Sequence, residues 1–330
     1  MTTLTRIQKD SAGTLAHTFT LDEAPTDSST PVTYAVVDAA GASIVTGTAT
    51  SSGPGTGTYT FVLAAQAALK ALTVSWTGTI GGSSTTQTTY AEVVGGFFFS
   101  LQQGRDSDES LDDVQRYPLA DLVAARLEVE VECENICDLA FVPRYARVVL
   151  DGTGTHEILL QHPDRAYRSV AEVRTVRSVS MASGPDGTFV AFTAGQLANL
   201  APSDDGGLVR TSGDVFTEGR RNVIVEYEYG LDRPPSDLVR EAKIRLRTVL
   251  NANKSGVPDR ASSFTMAEGG TFRLDMPGPG KTGIPTVDAA YGRYSRRSTG
   301  SGSTGRQVPA SRTLTYTPQR GSMFHGWPRR

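Results

Sequence analysis

Residues 117–142 read YPLADLVAARLEVEVECENICDLAFV, and this stretch decides the fold. Leu122, Ala125, Val129, Cys133, Ile136 and Ala140 recur at steps of three and four, the spacing that lines one face of an α-helix. Glu128, Glu130, Glu132 and Glu134 fall mostly on the other faces, where solvent is their expected partner. Pro118 suits a first turn, whose N–H needs no acceptor, and Pro143 stops the run. The pattern predicts the strongest helix of the chain, over about 118–140.

Downstream the period changes to two. Residues 147–150 and 157–160 flank a glycine-containing turn, and further strands are expected at 170–179, 188–192, 209–213 and 222–229. In the last of these Val223, Val225, Tyr227 and Tyr229 alternate with Ile224, Glu226 and Glu228. Pro234 and Pro235 break that strand, and Ser236 is placed to cap a second helix over about 236–250. On it Val239, Ala242, Leu246 and Val249 form the apolar face, with Leu238, Glu241, Arg245 and Thr248 on another. Its Arg240, Lys243, Arg245 and Arg247 oppose the first helix's glutamates in sign, which predicts that the two helices pack with ionic support. A short third helix is expected after Pro285, to Tyr294.

Upstream, residues 1–95 are β-patterned. Leu15, His17, Phe19 and Leu21 recur at every second position, as do Val32, Tyr34 and Val36, and runs at 59–63 and 72–76 follow. Strands with one buried face pair into a sandwich. The expected class is α+β. An N-terminal antiparallel β-sandwich (1–95) and a polar acidic linker (96–115) precede a helical core (116–297) that carries a β-insert at 147–230. An extended, flexible, basic C-terminal arm (298–330) follows. The triplet Phe97 to Phe99 is too apolar to stay exposed and is expected to pack on the next domain or on a neighbouring subunit.

The net charge is −3, but the sign is uneven. From Tyr291 onward there are eight arginines and no Asp or Glu, so the overall −3 less this +8 leaves −11 on the preceding residues. Hydrophobic residues make up 38%, which suits thinly packed stretches beside folded ones. No apolar run reaches the roughly eighteen residues of a membrane span, so no membrane partner is expected. Cys133 and Cys137 share one helix face, where the backbone disfavours a disulfide, and they read as small buried hydrophobes.

Chemistry finds little support. His17, His156, His162 and His325 are scattered, and neither they nor the cysteines make a metal-ligand pattern. Gly280, Lys281 and Thr282 spell GKT, yet Asp275 and Pro285 stand where a phosphate loop needs glycine and helix. No GxSxG elbow occurs beside an apolar strand. No cofactor and no enzymatic activity are expected. The arm has three readings: docking on an acidic protein partner, sequence-independent contact with DNA phosphates, or a solubilising tail. Its candidate contacts are Arg293, Arg296, Arg297, Arg306, Arg312, Tyr316, Arg320, Phe324, Trp327, Arg329 and Arg330. The candidate helix-packing residues are Leu122, Val129, Cys133, Ile136, Leu238, Ala242 and Leu246.

The stretch 117–142, with PRYARVVLDGTGTHEILL after it, resembles the opening of head-to-tail adaptor proteins of long-tailed phages infecting actinobacteria. VIVEYEYGLDRPPSDLVREAKIRLRTVL at 223–250 and GVPDRASSFTMAEGGTFRLDMPGPGKTGIPTVDAAYGRY at 256–294 resemble later parts of the same family, so the likeness spans about 115–297. It implies a helical core with a β-insert, assembled as a homo-oligomeric, commonly dodecameric, ring beneath the portal of the virion. Such a ring joins the filled head to a stopper or tail-completion protein, keeps the DNA channel continuous and sends C-terminal extensions to the portal. The chain would then be made in the host cytoplasm and reside in the virion neck, touching packaged DNA at most non-specifically. The N-terminal β-domain is not required by that family core. It leaves open another neck or tail-completion protein whose sandwich binds a host-surface or capsid ligand, and, less favoured, a hydrolytic tail enzyme.

Overall fold

The computed structural model describes residues 4–163, 165–182, 187–203, 206–252, 263–265, 271–273 and 280–296. They form a mixed α+β architecture of several sheets and helices.

The N-terminal part holds a five-stranded sheet in the order Leu4–Gln8, Ser83–Val94, Lys70–Ile80, Thr33–Asp38, Ser43–Thr48. A second sheet follows the order Gly13–Thr18, Thr58–Leu63, Thr50–Ser51. Alternation along Lys70–Ile80 sends Leu72, Val74, Trp76 and Ile80 inward, where they meet Leu15, Phe61 and Leu63 of the other sheet in one apolar core. Phe61 also stacks on Tyr34, ring centroids 3.7 Å apart. The pairing is not wholly antiparallel as expected, because Leu4–Gln8 runs parallel to Ser83–Val94, with Leu4 opposite Tyr90 and Gln8 opposite Val94. A parallel neighbour needs a long crossover, and the rest of the β-domain supplies it.

The stretch 96–115, expected as a polar linker, is folded into the helical core. Ser100 caps α1, Leu101–Arg105, with a reciprocal bond from Gln103, and a 3-10 turn follows at Glu109–Asp112. Phe98, Phe99 and Leu111 are buried among the helices, so the apolar residues of this acidic stretch outweigh its charge in deciding its place.

Then come α2 (Leu119–Cys137), α3 (Ala194–Ala198), α4 (Ser236–Ala252) and α5 (Pro285–Tyr294). α2 ends at Asp138, whose φ of 57° turns the chain out of the helix. Leu122, Val129, Cys133, Leu238, Ala242 and Leu246 lie in one core with Val287 and Tyr291, and Ile136 packs at its margin. On α4 the apolar face is offset from the expected one. Leu238 and Glu241 are buried with Ala242, Leu246 and Leu250, while Val239 and Val249 are only partly covered. The reason is that α4 packs against both α2 and α5, which draws in a wider arc than one partner would.

Between α2 and α4 lies a four-stranded sheet ordered Arg144–Gly152, Gly219–Tyr229, Val173–Ala182, Phe189–Ala191. A three-stranded sheet beside it is ordered Glu157–Leu159, Gly207–Arg210, Leu200–Pro202. Val223, Val225, Tyr227 and Tyr229 turn into their shared core. Gly230 then carries the chain toward α4 at φ 98°, and a β-carbon there would stand 2.4 Å from the Val142 carbonyl oxygen.

Candidate interaction site

The glutamates of α2 do not all face solvent. Arg6 is the third residue of the edge strand Leu4–Gln8, and pairing places it opposite Glu92. Its guanidinium donates from Nη1 to Glu130 Oε2 and from Nη2 to Glu134 Oε2, both at 2.8 Å, with Nε 3.5 Å from Glu92. Arg144, which opens the first insert strand, donates to Glu92 Oε2 at 2.6 Å and also to Glu134. The second oxygen of Glu130 accepts from the Phe98 N–H at 2.9 Å. Five charged residues from the β-domain, α2 and the insert therefore meet at one junction. A cavity of about 90 Å³ adjoins it, with Leu4, Val131, Asn135, His162 and Tyr229 among its lining.

The electrostatics follow from burial and count. Arg6 and Glu130 side chains are 3% and 1% exposed. Burial opposes the Arg6 charge, yet the carboxylates of Glu134, Glu130 and Glu92 outweigh it and raise its pKa. Burial also pushes the Glu130 carboxyl up against the pull of Arg6. Arg126 also bears on Glu130, so three guanidiniums face three carboxylates at the junction. Such an arrangement is a clasp between modules, in which removal of either partner strands a buried charge.

Neighbouring contacts extend the clasp. Arg126 lies 3.6 Å over the Phe97 ring and donates to the Phe99 carbonyl at 3.3 Å, so of the two expected partners, next domain or neighbouring subunit, the triplet meets the next domain of its own chain. Arg177, on the strand Val173–Ala182, donates to the Leu69 carbonyl of the β-domain at 2.8 Å and pairs with Glu228. Between helices, Arg245 donates from Nε and Nη2 to the two oxygens of Glu132, at 2.7 and 2.9 Å, as the opposite signs predicted.

At the root of the arm, the structure engages the two described arginines within the chain itself. Arg293 pairs with Asp237 at 3.0 Å, and the Tyr294 hydroxyl donates to the same carboxylate at 2.8 Å. Arg296 donates its backbone N–H to the Cys137 carbonyl at 2.9 Å and its Nη1 to the Ser169 carbonyl at 3.1 Å. Both thus have partners within the chain, at α4 and at the end of α2. The expected contacts Arg297, Arg306, Arg312, Tyr316, Arg320, Phe324, Trp327, Arg329 and Arg330 lie outside the described residues.

The remaining candidates have local roles. Cys133 and Cys137 are buried free thiols 3.9 Å apart, and burial raises the Cys133 pKa well above its ordinary value. His17 sits against Phe19 and Trp76, where desolvation lowers its pKa. Among the described residues, no group of three or more His, Cys, Asp or Glu could hold a metal ion, and no helix is long and apolar enough to cross a membrane. Thr282 is turned to structural use, its hydroxyl and N–H both donating to Asp288 of α5. Sequence reading missed Arg6, Glu92 and Arg144 altogether. The one signal for them was charge within apolar strands, and that does not name a partner.

No family model matches this chain, and no curated protein matches it either. Among solved structures, a chain from the neck of an empty GTA particle, computed with C6 symmetry, gives a weak and partial match. The two are 14% identical with a TM-score of 0.37, over 62% of this chain and 93% of the other. A likeness that distant carries no argument about what this chain does.

Proposed function

We propose that the chain is a structural subunit of a phage head-to-tail connector, without chemistry of its own. It forms a homo-oligomeric ring, dodecameric by the sequence resemblance, beneath the portal in the virion neck. There it joins the DNA-filled capsid to a stopper or tail-completion protein and lines the DNA channel. The observation that carries this reading is the seating of α5 against α2 and α4, closed by Arg296 on Cys137 and Ser169. It gives the basic segment after residue 296 a rigid origin, from which arginines reach a partner's carboxylates or, non-specifically, packaged DNA. The order of helix, β-insert, helix and short helix agrees with the order of the resembling segments at 117–142, 223–250 and 256–294. Imaging of purified virion necks tests the proposal. Density for this fold in a ring directly under the portal is the expected result, and density in the tail tube or tip would overturn it.

A second reading concerns the β-domain alone. The outer face of its larger sheet presents Thr33, Thr46, Thr48, Ser75 and Thr77 along a shallow open trough of about 470 Å³. That hydroxyl-rich surface supports a neck protein whose β-domain holds a host-surface or capsid ligand. Glycan-array binding of the full chain, lost on Thr77→Lys, would favour it.

A further inference from the structure

The five-stranded sheet of the β-domain is open along both of its sides. On one side Leu4–Gln8 pairs only with residues 90–94, so the rest of that strand, residues 83–89, has Lys70–Ile80 as its one strand partner among the described residues. On the other side Ser43–Thr48 pairs with Thr33–Asp38 alone among the described residues. An open edge offers a row of unpaired N–H and C=O groups, and folded chains ordinarily blunt it with charge, proline or brevity. The four-stranded sheet does so, since Arg144–Gly152 carries Arg144, Arg147 and Asp151, and Phe189–Ala191 is three residues long. The smaller sheet of the β-domain ends on one side in Thr50–Ser51, too short to extend. By contrast, neither residues 83–89 nor Ser43–Thr48 include a charged residue or a proline, and the register shift near Ser43 leaves residues 45–48 regular.

We propose that these two edges join one copy of the chain to the next, residues 45–48 of one copy extending the sheet of its neighbour at residues 83–89. Strand direction suits the union. Ser83–Val94, Lys70–Ile80, Thr33–Asp38 and Ser43–Thr48 alternate in direction, so the two edge strands run oppositely. Copies set side by side with their strands aligned therefore meet in the antiparallel sense, the more stable pairing. Side chains match as well. The register puts Thr48, Thr33, Thr77 and Thr86 in one row across the sheet, and the Thr77 and Thr86 hydroxyls are 2.9 Å apart. Setting Thr48 of the next copy beyond Thr86 continues the row, and cross-strand threonine pairs of this kind stabilise sheets. Thr46, Thr48, Ser84, Thr86 and Thr88 are all exposed, as such a contact requires. Because the joined surfaces differ, the contact is head-to-tail, and its repetition gives a closed ring or a filament. It supplies a contact for the homo-oligomer proposed above, yet it stands on the sheet alone.

Disulfide trapping in the full chain tests it. Thr48→Cys is made in one preparation and Thr86→Cys in another, and the two are mixed and oxidised, while Cys133 and Cys137 are buried away from the reaction. Within one chain positions 48 and 86 are three strand spacings apart, about 14 Å, beyond the roughly 7 Å between α-carbons that a disulfide tolerates, so products at these positions join two copies. The expected product is the mixed dimer, and a chain carrying both cysteines should give a ladder of longer oligomers. Dimers of either variant with itself in place of the mixed product would assign the edge to a two-fold contact and overturn the proposal. So would absence of product when Thr48→Cys is paired in turn with Ser84→Cys, Thr86→Cys and Thr88→Cys, which covers slips along the edge. Adding Ser84→Lys, a charge at an exposed edge position, to the Thr86→Cys chain is expected to cut the yield at least about tenfold with thermal unfolding unchanged. An undiminished yield would also overturn it. Neither readout depends on where the subunit sits in a virion, so failure here and failure of the neck assignment are separate results.

Discussion

Arg6 and Glu130 are 124 residues apart in sequence and form an ion pair of 2.8 Å whose side chains are almost wholly buried. The pair fastens the first strand of the β-domain to the central helix of the core. Its neighbours Glu92, Glu134 and Arg144 tie the last strand of that domain and the first strand of the insert to the same point. The relative placement of the three modules thus rests on charges that none could bury alone.

Removing one member should therefore cost more than a surface ion pair would. Arg6→Ala is expected to destabilise the chain by about 3–5 kcal/mol, because Glu130 stays buried without its counter-charge. Arg6→Met with Glu130→Leu should recover most of that loss. Denaturant unfolding of Arg6→Met, Glu130→Leu and the double measures it, and additive losses would show that the two residues are not coupled.

The tyrosine of α5 sets an alkaline limit. Tyr291 is fully buried, and burial, then Cys133, Glu132 and Cys137, raise its hydroxyl above the ordinary value of 10.0. A folded pKa above the unfolded one means that the folded state holds the proton. The stability is fully present below pH 10 and is lost as the pH rises through the folded value. Tyr291→Phe should retain the packing and lessen this alkaline loss, as read from thermal unfolding at stepped pH.

A methyl group at position 230 should not be tolerated. Gly230→Ala would impose φ 98° on an alanine and bring its β-carbon to 2.4 Å from the Val142 oxygen. The strain alone is about 1–3 kcal/mol, and the backbone shift adds to it. Equilibrium unfolding of this variant should show a loss beyond that range's midpoint, whereas Gly292→Ala, at a position with open space around it, should be nearly neutral.

Buried and exposed leucines of α2 should answer differently to truncation. Leu122→Ala, at a fully buried position, is expected to cost about 2–5 kcal/mol by opening a cavity. Leu119→Ala, at an exposed position, should stay within about 0.5 kcal/mol by the same measurement of denaturant unfolding.

The helices were legible because their signal is local. A spacing of three and four over residues 122–137 needs only the sequence, and Leu122, Val129 and Cys133 are in the core it implied. The offset face of α4 was harder, since Leu238 and Glu241 are drawn inward by having two helical neighbours, a fact that no single helix contains. The stretch 96–115 misled for a related reason. Its many charges described the surface of a folded segment, while Phe98, Phe99 and Leu111 decided where it lies.

By itself, then, the sequence determined the period of each element, the inward stripe of α2, the alternation of Lys70–Ile80 and Gly219–Tyr229, and the separate basic composition after Tyr291. Only the tertiary structure decided the parallel first strand and the fate of the glutamates of α2. A charge enters an apolar interior only where opposite charge waits, and that partner arrives through contacts between residues 6, 92, 130, 134 and 144. Local pattern records polarity and spacing; it holds no record of which distant residue will be adjacent once the sheets and helices close.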